Sequence, residues 1–190
     1  MKYKLALFAS GSGSNVENIY NYFKNNDIII PELLICNNKD AYVIERAKKI
    51  NLPYKIIEPN SKNSTKLLSF LKSKKITHII LAGYLKLIGT EIIKGYRNKI
   101  LNIHPALLPK YGGKGYYGDF VHRSVLDSKD SKSGITIHLV NEKYDDGRVL
   151  FQKEVLIYPL ETIESLASKI HNLEYKYYPE IIEKYILNQL

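Results

Sequence analysis

The chain has 190 residues, about one domain's worth at roughly 100–200 residues apiece. Hydrophobic residues make up 45% and charged residues 25%, close to globular averages, which excludes disorder, collagen-like repeats and low complexity. Lys and Arg (28) outnumber Asp and Glu (19) for a net charge of +9, yet the lysines come singly or in short groups such as Lys48-Lys49. No basic arm or nucleic-acid module appears, so the charge reads as a field for anionic metabolites.

The most apolar stretches, 33–36 and 79–82, are far shorter than the roughly 18–20 residues that span a bilayer. The basic opening and apolar run to Ala9 is too short for a signal peptide and leads into a glycine-rich loop. A single cysteine, Cys36, permits no intramolecular disulfide and no cysteine-rich zinc site, and fits a reducing cytoplasm.

In chain order, periodicity predicts a strand over 3–9, a helix over 14–24, a strand over 33–37 and a helix over 41–50. A short strand over 54–57, a helix over 64–73, a strand over 77–82, a short helix over 90–97 and a strand over 100–104 follow. Strands alternating with helices imply parallel βαβ units, because parallel neighbours need a crossover. A glycine-rich loop over 105–118 then leads to a helix over 119–128 and strands over 134–140 and 149–157. The chain closes with a helical stretch over 162–187, expected to break or kink at Pro179. No repeat, linker or second domain is visible, and the patterns describe a doubly wound α/β domain, which binds ligands beyond the carboxyl ends of its strands.

Three segments carry chemistry. Ser10-Gly11-Ser12-Gly13-Ser14-Asn15 lies between a strand and a helix, where backbone N–H groups and the helix dipole attract anions. Val16 stands where the dinucleotide fingerprint needs a third glycine, and the Walker lysine is missing, so a monophosphate fits better. A tight βα turn capped by Ser14 or Asn15 is the alternative. Asn102 and His104 alternate onto one face of their strand, pairing an oxyanion donor with a group that titrates near neutrality; a hydrogen-bonded core pair is the alternative. His138 precedes Tyr144-Asp145-Asp146-Gly147, where Asp145 or Asp146 is placed to raise an imidazole pKa and hold a water; an Asx turn is the alternative. His78 and His122 read as structural, the tyrosines as packing, and no histidine spacing suggests a metal.

These segments, with Leu81-Ala82-Gly83-Tyr84-Leu85-Lys86-Leu87-Ile88, Asn102-Ile103-His104-Pro105-Ala106-Leu107-Leu108-Pro109 and Gly134-Ile135-Thr136-Ile137-His138, resemble the phosphoribosylglycinamide formyltransferases over nearly the whole chain. The resemblance implies an α/β, single-domain, Rossmann-like formyltransferase fold covering residues 1–190. Its sheet is mostly parallel and twisted, with helices on both faces and an antiparallel strand near the C-terminal end. The implied reaction transfers the formyl group of 10-formyltetrahydrofolate to the amine of glycinamide ribonucleotide in de novo purine biosynthesis, without a metal.

By the same resemblance Gly13, Ser14 and Asn15 take the ribonucleotide phosphate, and His171 and Glu174 contact its glycinamide part. Leu85, Lys86, Leu87 and Ile88 bind the folate, together with Asn102, Val140 and Asp145. His104 is the implied general acid, Asn102 the oxyanion donor, and Asp145 the carboxylate that raises the His104 pKa and orients a water. The implied partners are these two small molecules, with neither nucleic acid nor membrane, in a cytoplasmic monomer or homodimer.

The chain departs from the family pattern in three places. The loop over 112–120 is longer than in some members, and Asp-Asp-Gly replaces Asp-Gly-Gly, leaving Asp145 and Asp146 both open as the functional carboxylate. Asn60, Lys62 and Asn63 occupy the segment of a folate-proximal arginine, with Lys62 as the substitute. The isomer of the Leu108-Pro109 bond is open. The rival readings are another formyltransferase or a formyl-folate hydrolase, a non-catalytic phosphometabolite binder, and a basic nucleic-acid binder.

Overall fold

A computed structural model describes residues 2–58 and 61–190, the side chains of Ser61 and Lys62 excepted. The chain divides into two compact units, Met1–Asn102 and Ile103–Leu190.

The first unit is built on β1 (Tyr3–Ala9), whose residues Leu5 to Phe8 have no exposed surface. Successive strand residues point to opposite faces, so this unbroken burial means both faces of β1 are covered, as parallel sheets require. Each such Leu or Phe contributes about 1.5–3 kcal/mol of burial free energy. The chain continues through α1 (Ser14–Phe23), β2 (Ile29–Cys36), α2 (Val43–Lys49), β3 (Tyr54–Ile56), α3 (Ser61–Ser73), β4 (His78–Leu81), α4 (Thr90–Gly95) and β5 (Ile100–His104). β1 pairs in parallel with both β2 and β4, β2 with β3, and β4 with β5, giving the order β3-β2-β1-β4-β5. The sequence of strands reverses between β1 and β4, so the loops after those two strands flank the switch point where doubly wound sheets take their ligands. α1 buries Val16, Ile19 and Phe23, one stripe at helical spacing.

β2 starts four residues before the strand expected at 33–37, and the reason is Pro31. Leu5 pairs with Pro31 but Ala6 pairs with Leu33, so Glu32 is accommodated in a bulge. β3 reaches only Leu34–Cys36, so no β3 ladder position falls on Pro31, which lacks an N–H.

The second unit contains α5 (Asp119–Asp127), β6 (Lys132–Leu139), β7 (Val149–Leu156) and α6 (Ile163–Ile186), with β6 and β7 antiparallel. Thr162 caps α6 by accepting from the Ser165 N–H at 3.2 Å. The break or kink expected at Pro179 does not divide the helix, which runs as one element through that residue. An interior proline costs about 3 kcal/mol, but Leu166, Ile170, Tyr178, Ile181, Ile182 and Ile186 are buried along one stripe and Pro179 is buried with them. That apolar burial outweighs the lost hydrogen bond.

Inside this unit Thr136 Oγ donates to Ala106 O at 2.7 Å and accepts from the Leu108 N–H at 3.0 Å and Gln152 Nε2 at 2.8 Å, fixing the chain just beyond β5. The Leu108-Pro109 bond is cis. Among the described residues, no helix is long and apolar enough to cross a membrane.

Candidate active site

In the first unit, the loop after β1 turns into α1 at Gly13, which has φ +76°. A Cβ there would lie 2.2 Å from Val43 Cγ2 and 2.9 Å from Val43 Cα, so both conformation and space demand glycine. α1 has no side-chain cap: Gly13 is its N-cap, not Ser14 or Asn15, and those two residues contribute its first-turn N–H groups. α2 holds the loop in place. Val43 N–H donates to Gly11 O at 3.0 Å, Arg46 Nε donates to Ser12 O at 3.0 Å, and the Arg46 guanidinium pairs with Glu17 in the first turn of α1. A carboxylate at that end repels a phosphate, and the Arg46 charge offsets it.

Across the switch point, residues 85–88 follow β4. Leu85 and Leu87 are nearly half exposed, Lys86 is exposed, and Ile88 is buried at the far end. Leu85 N–H donates to Ser10 Oγ at 2.9 Å. Asn60 lies outside the described residues, as does the side chain of Lys62, while Asn63 Nδ2 donates to Glu58 O at 2.7 Å.

β5 carries Asn102, half-buried, and His104, 4% exposed, two positions apart and therefore on one face of the strand. In the second unit His104 is joined by two groups distant in sequence. Its Nδ1 lies 3.6 Å from Asp145 Oδ2, and the other oxygen of that carboxylate lies 3.6 Å from His138 Nε2. Gly113 N–H donates to Asp145 Oδ2 at 2.9 Å. Both imidazoles are anchored on their far side, His104 Nε2 at 2.7 Å from Tyr111 O and His138 Nδ1 at 2.8 Å from Leu139 O. A carbonyl only accepts, so His104 Nε2 and His138 Nδ1 are the donors in these two contacts. The 3.6 Å between His104 Nδ1 and Asp145 Oδ2 is longer than a direct hydrogen bond.

Burial is the largest influence on His104 and pushes its pKa below 6.5; the Asp145 charge and the Tyr111 carbonyl pull upward, and His138 pushes further down. Asp145 thus acts on His104 in the expected raising direction, while the net shift is set by burial and the ring rests neutral near pH 7. Burial works to raise the Asp145 pKa, but His138, His104 and the Gly113 N–H together outweigh it and hold Asp145 below 3.8 and ionised.

The neighbouring aspartates point in different directions. Asp145, with φ +52°, faces the histidines, whereas the Asp146 side chain is 55% exposed and meets Asn141 and Lys143. Val140 is half-buried just after β6. On α6, His171 is exposed and stacks on Tyr175 at 6.0 Å, while Glu174 is 6% exposed. His122 is buried on α5, with its pKa pushed down by burial first and then by His171. Among the described residues no group of three or more His, Cys, Asp or Glu is arranged to hold a metal ion.

Sequence reasoning placed Ser10 only within the anion-binding loop, assigned no role to Tyr111 or Gly113, and left His138 without a partner. Only their distances to chemistry-bearing residues single them out.

The formyl transferase family matches residues 3–182. The chain is 41% identical over 190 residues to the chloroplastic phosphoribosylglycinamide formyltransferase of Arabidopsis thaliana, covering 94% of this chain and 64% of that protein. It thus spans less than two thirds of the plant relatives' length. It is 37% identical over 187 residues to the phosphoribosylglycinamide formyltransferase of Bacillus subtilis (strain 168), covering 95% of this chain and 93% of that protein. The crystal structure of glycinamide ribonucleotide transformylase 1 from Geobacillus kaustophilus superposes with a TM-score of 0.88 at 37% identity, over 96% of this chain and 97% of that one.

Proposed function

The chain belongs to the formyl transferase family, and from that premise we propose that it transfers the formyl group of 10-formyltetrahydrofolate to the amine of glycinamide ribonucleotide, a step of de novo purine biosynthesis. The observation that carries this reading is the ionised Asp145 carboxylate held 3.6 Å from His104 in a buried setting, one strand position pair beyond Asn102. The family match extends through both units, which supports the whole chain acting as one formyltransferase domain.

In this reading the substrate amine attacks the formyl carbon. A carbon–nitrogen bond forms, and the carbonyl electrons move to oxygen. The Asn102 amide donates to that oxyanion, an interaction worth about 2.7–4 kcal/mol for a well-placed donor. The attacking nitrogen must lose a proton and the leaving folate nitrogen must gain one. His104, neutral at rest, receives the proton through a water oriented by Asp145. As an imidazolium beside that carboxylate, it stabilises the oxyanion and then acts as general acid when the old carbon–nitrogen bond breaks. N-formylated ribonucleotide and tetrahydrofolate result, with no covalent enzyme intermediate. Holding the two substrates in attack geometry supplies much of the remaining acceleration.

Gly13, Ser14 and Asn15 are assigned to the ribonucleotide phosphate, on the support of the α1 N-terminus and the Arg46 clamp. Residues 85–88 are assigned to the folate, and His171 and Glu174 to the glycinamide portion.

The test is a folate absorbance assay with 10-formyltetrahydrofolate, with and without glycinamide ribonucleotide, on the parent chain and on His104→Ala. Turnover that requires the ribonucleotide and falls by about 10²–10⁴-fold in the variant is the expected result. Folate deformylation without the ribonucleotide makes the chain a hydrolase, and no turnover by folded protein removes the enzymatic reading.

A further inference from the structure

We propose that Ser10 is a positioning residue for the folate segment, fixing residues 85–88 from the opposite side of the switch point in the first unit. The inference rests on the assignment of that segment to folate.

Ser10 follows β1 directly and is 9% exposed. Its N–H donates to Gly83 O at 2.9 Å, its Oγ donates to Asn37 Oδ1 at 2.5 Å, and the same Oγ accepts from the Leu85 N–H at 2.9 Å. A serine hydroxyl has one proton. Asn37, just after β2, takes it, which directs a lone pair at Leu85. One buried hydroxyl therefore ties together the chain leaving β1, β2 and β4. The segment is held at Leu85 by this bond and at Ile88 by burial, with Leu85 and Leu87 left partly in solvent as apolar surface. A backbone stretch fixed at both ends presents its polar groups in one geometry, which lowers the ordering cost of binding a planar heterocycle.

The phosphate loop does not depend on this bond. It is clamped separately from α2, through Val43 N–H to Gly11 O and Arg46 to Ser12 O and Glu17. The two ends of the same loop thus serve two different ligands, and substitutions at each end should separate them.

The experiment measures the KM of both substrates and the direct calorimetric affinity for 10-formyltetrahydrofolate in the parent chain, Ser10→Ala, Asn37→Ala, the double variant and Arg46→Ala. Ser10→Ala is expected to weaken folate binding about tenfold, the scale of one lost buried hydrogen bond, with the ribonucleotide KM within about twofold. Asn37→Ala should show a smaller effect of the same kind, non-additive with Ser10→Ala, because both act on one hydroxyl. Arg46→Ala should show the reverse split. Thermal melting separates misfolding from repositioning, and Asn37→Ala carries the test if Ser10→Ala does not fold. Unchanged folate affinity in folded Ser10→Ala and Asn37→Ala, or equal weakening of both substrates, overturns the inference alone. A parent chain that binds no folate overturns the functional reading and this inference with it.

Discussion

Acid should loosen the first unit through His78, and the size of the effect follows from its surroundings. His78 is 8% exposed at the start of β4; its ring sits edge-on to Tyr3 at 5.8 Å, and its Nδ1 lies 3.1 Å from Thr77 Oγ. That hydroxyl gives its own proton to Lys4 O at 3.0 Å, so Nδ1 is the donor in this contact. Burial, followed by the charge of Lys99, lowers the His78 pKa from 6.5 to about 4. Between those values the unfolded chain binds a proton that the folded chain refuses, so stability falls as pH falls through this window and is unaffected by His78 above it. At about 1.4 kcal/mol for each tenfold change in proton affinity, the full loss is about 3 kcal/mol, a large share of a domain's stability. The assay is urea unfolding of the parent and His78→Phe from pH 7.5 to pH 4. The variant gives up one hydrogen bond, about 1 kcal/mol at neutral pH, but has nothing to titrate. Comparing the two chains cancels the other ionisable groups, so the stability gap should shift by about 3 kcal/mol in favour of the variant on acidification. A pH-independent gap would refute the buried-neutral assignment.

Three further outcomes are expected. Gly13→Ala combines a left-handed backbone, which costs about 1–2 kcal/mol with a side chain, with a clash against Val43; it should lower the melting temperature and raise the ribonucleotide KM, whereas Gly11→Ala, with open space around its Cβ position, should melt like the parent. Gly147→Ala would place a Cβ 1.7 Å from Leu139 O and displace the loop that carries Asp145, so kcat should fall by about 10²-fold, the scale of a 1 Å misplacement; parental kcat would show that this loop does not position Asp145. Asp145→Asn removes the charge that opposes burial at His104, so the His104 limb of the pH–rate profile should move to lower pH, while Asp146→Asn should leave the profile unchanged; identical profiles for both variants would dissociate Asp145 from His104.

The bounds of β1 and β5 match those read from sequence, because each is an apolar run ended by a polar turn signal. β2 begins earlier than periodicity indicates, and only pairing with β1 reveals the bulge that admits Pro31. At Pro179 the helix is not broken, because the burial of α6 overrides the local preference to end there. At the site, period-two alternation placed Asn102 and His104 together, and the resemblance directed attention to Asp145. Which of Asp145 and Asp146 faces the histidines was not legible, because it depends on the left-handed backbone at Asp145. Nor was the approach of His138 to the carboxylate that also faces His104, since β6 brings it from 34 positions beyond His104 in the chain.

The hydroxyl of Thr136 has every valence occupied: one proton given to Ala106, two lone pairs taken by Leu108 and Gln152. Valine has its shape but would strand two donors, and serine keeps the count while omitting a packed methyl. In a saturation library selected for turnover, position 136 should therefore carry nearly as much information as His104, despite having no part in the chemistry. Gln152 Nε2 also donates to Leu108 O at 3.0 Å, so part of that information is shared with a position on the next strand. Sequence variation at these two sites should move together, a record of the turn over 106–108 written in residues outside it.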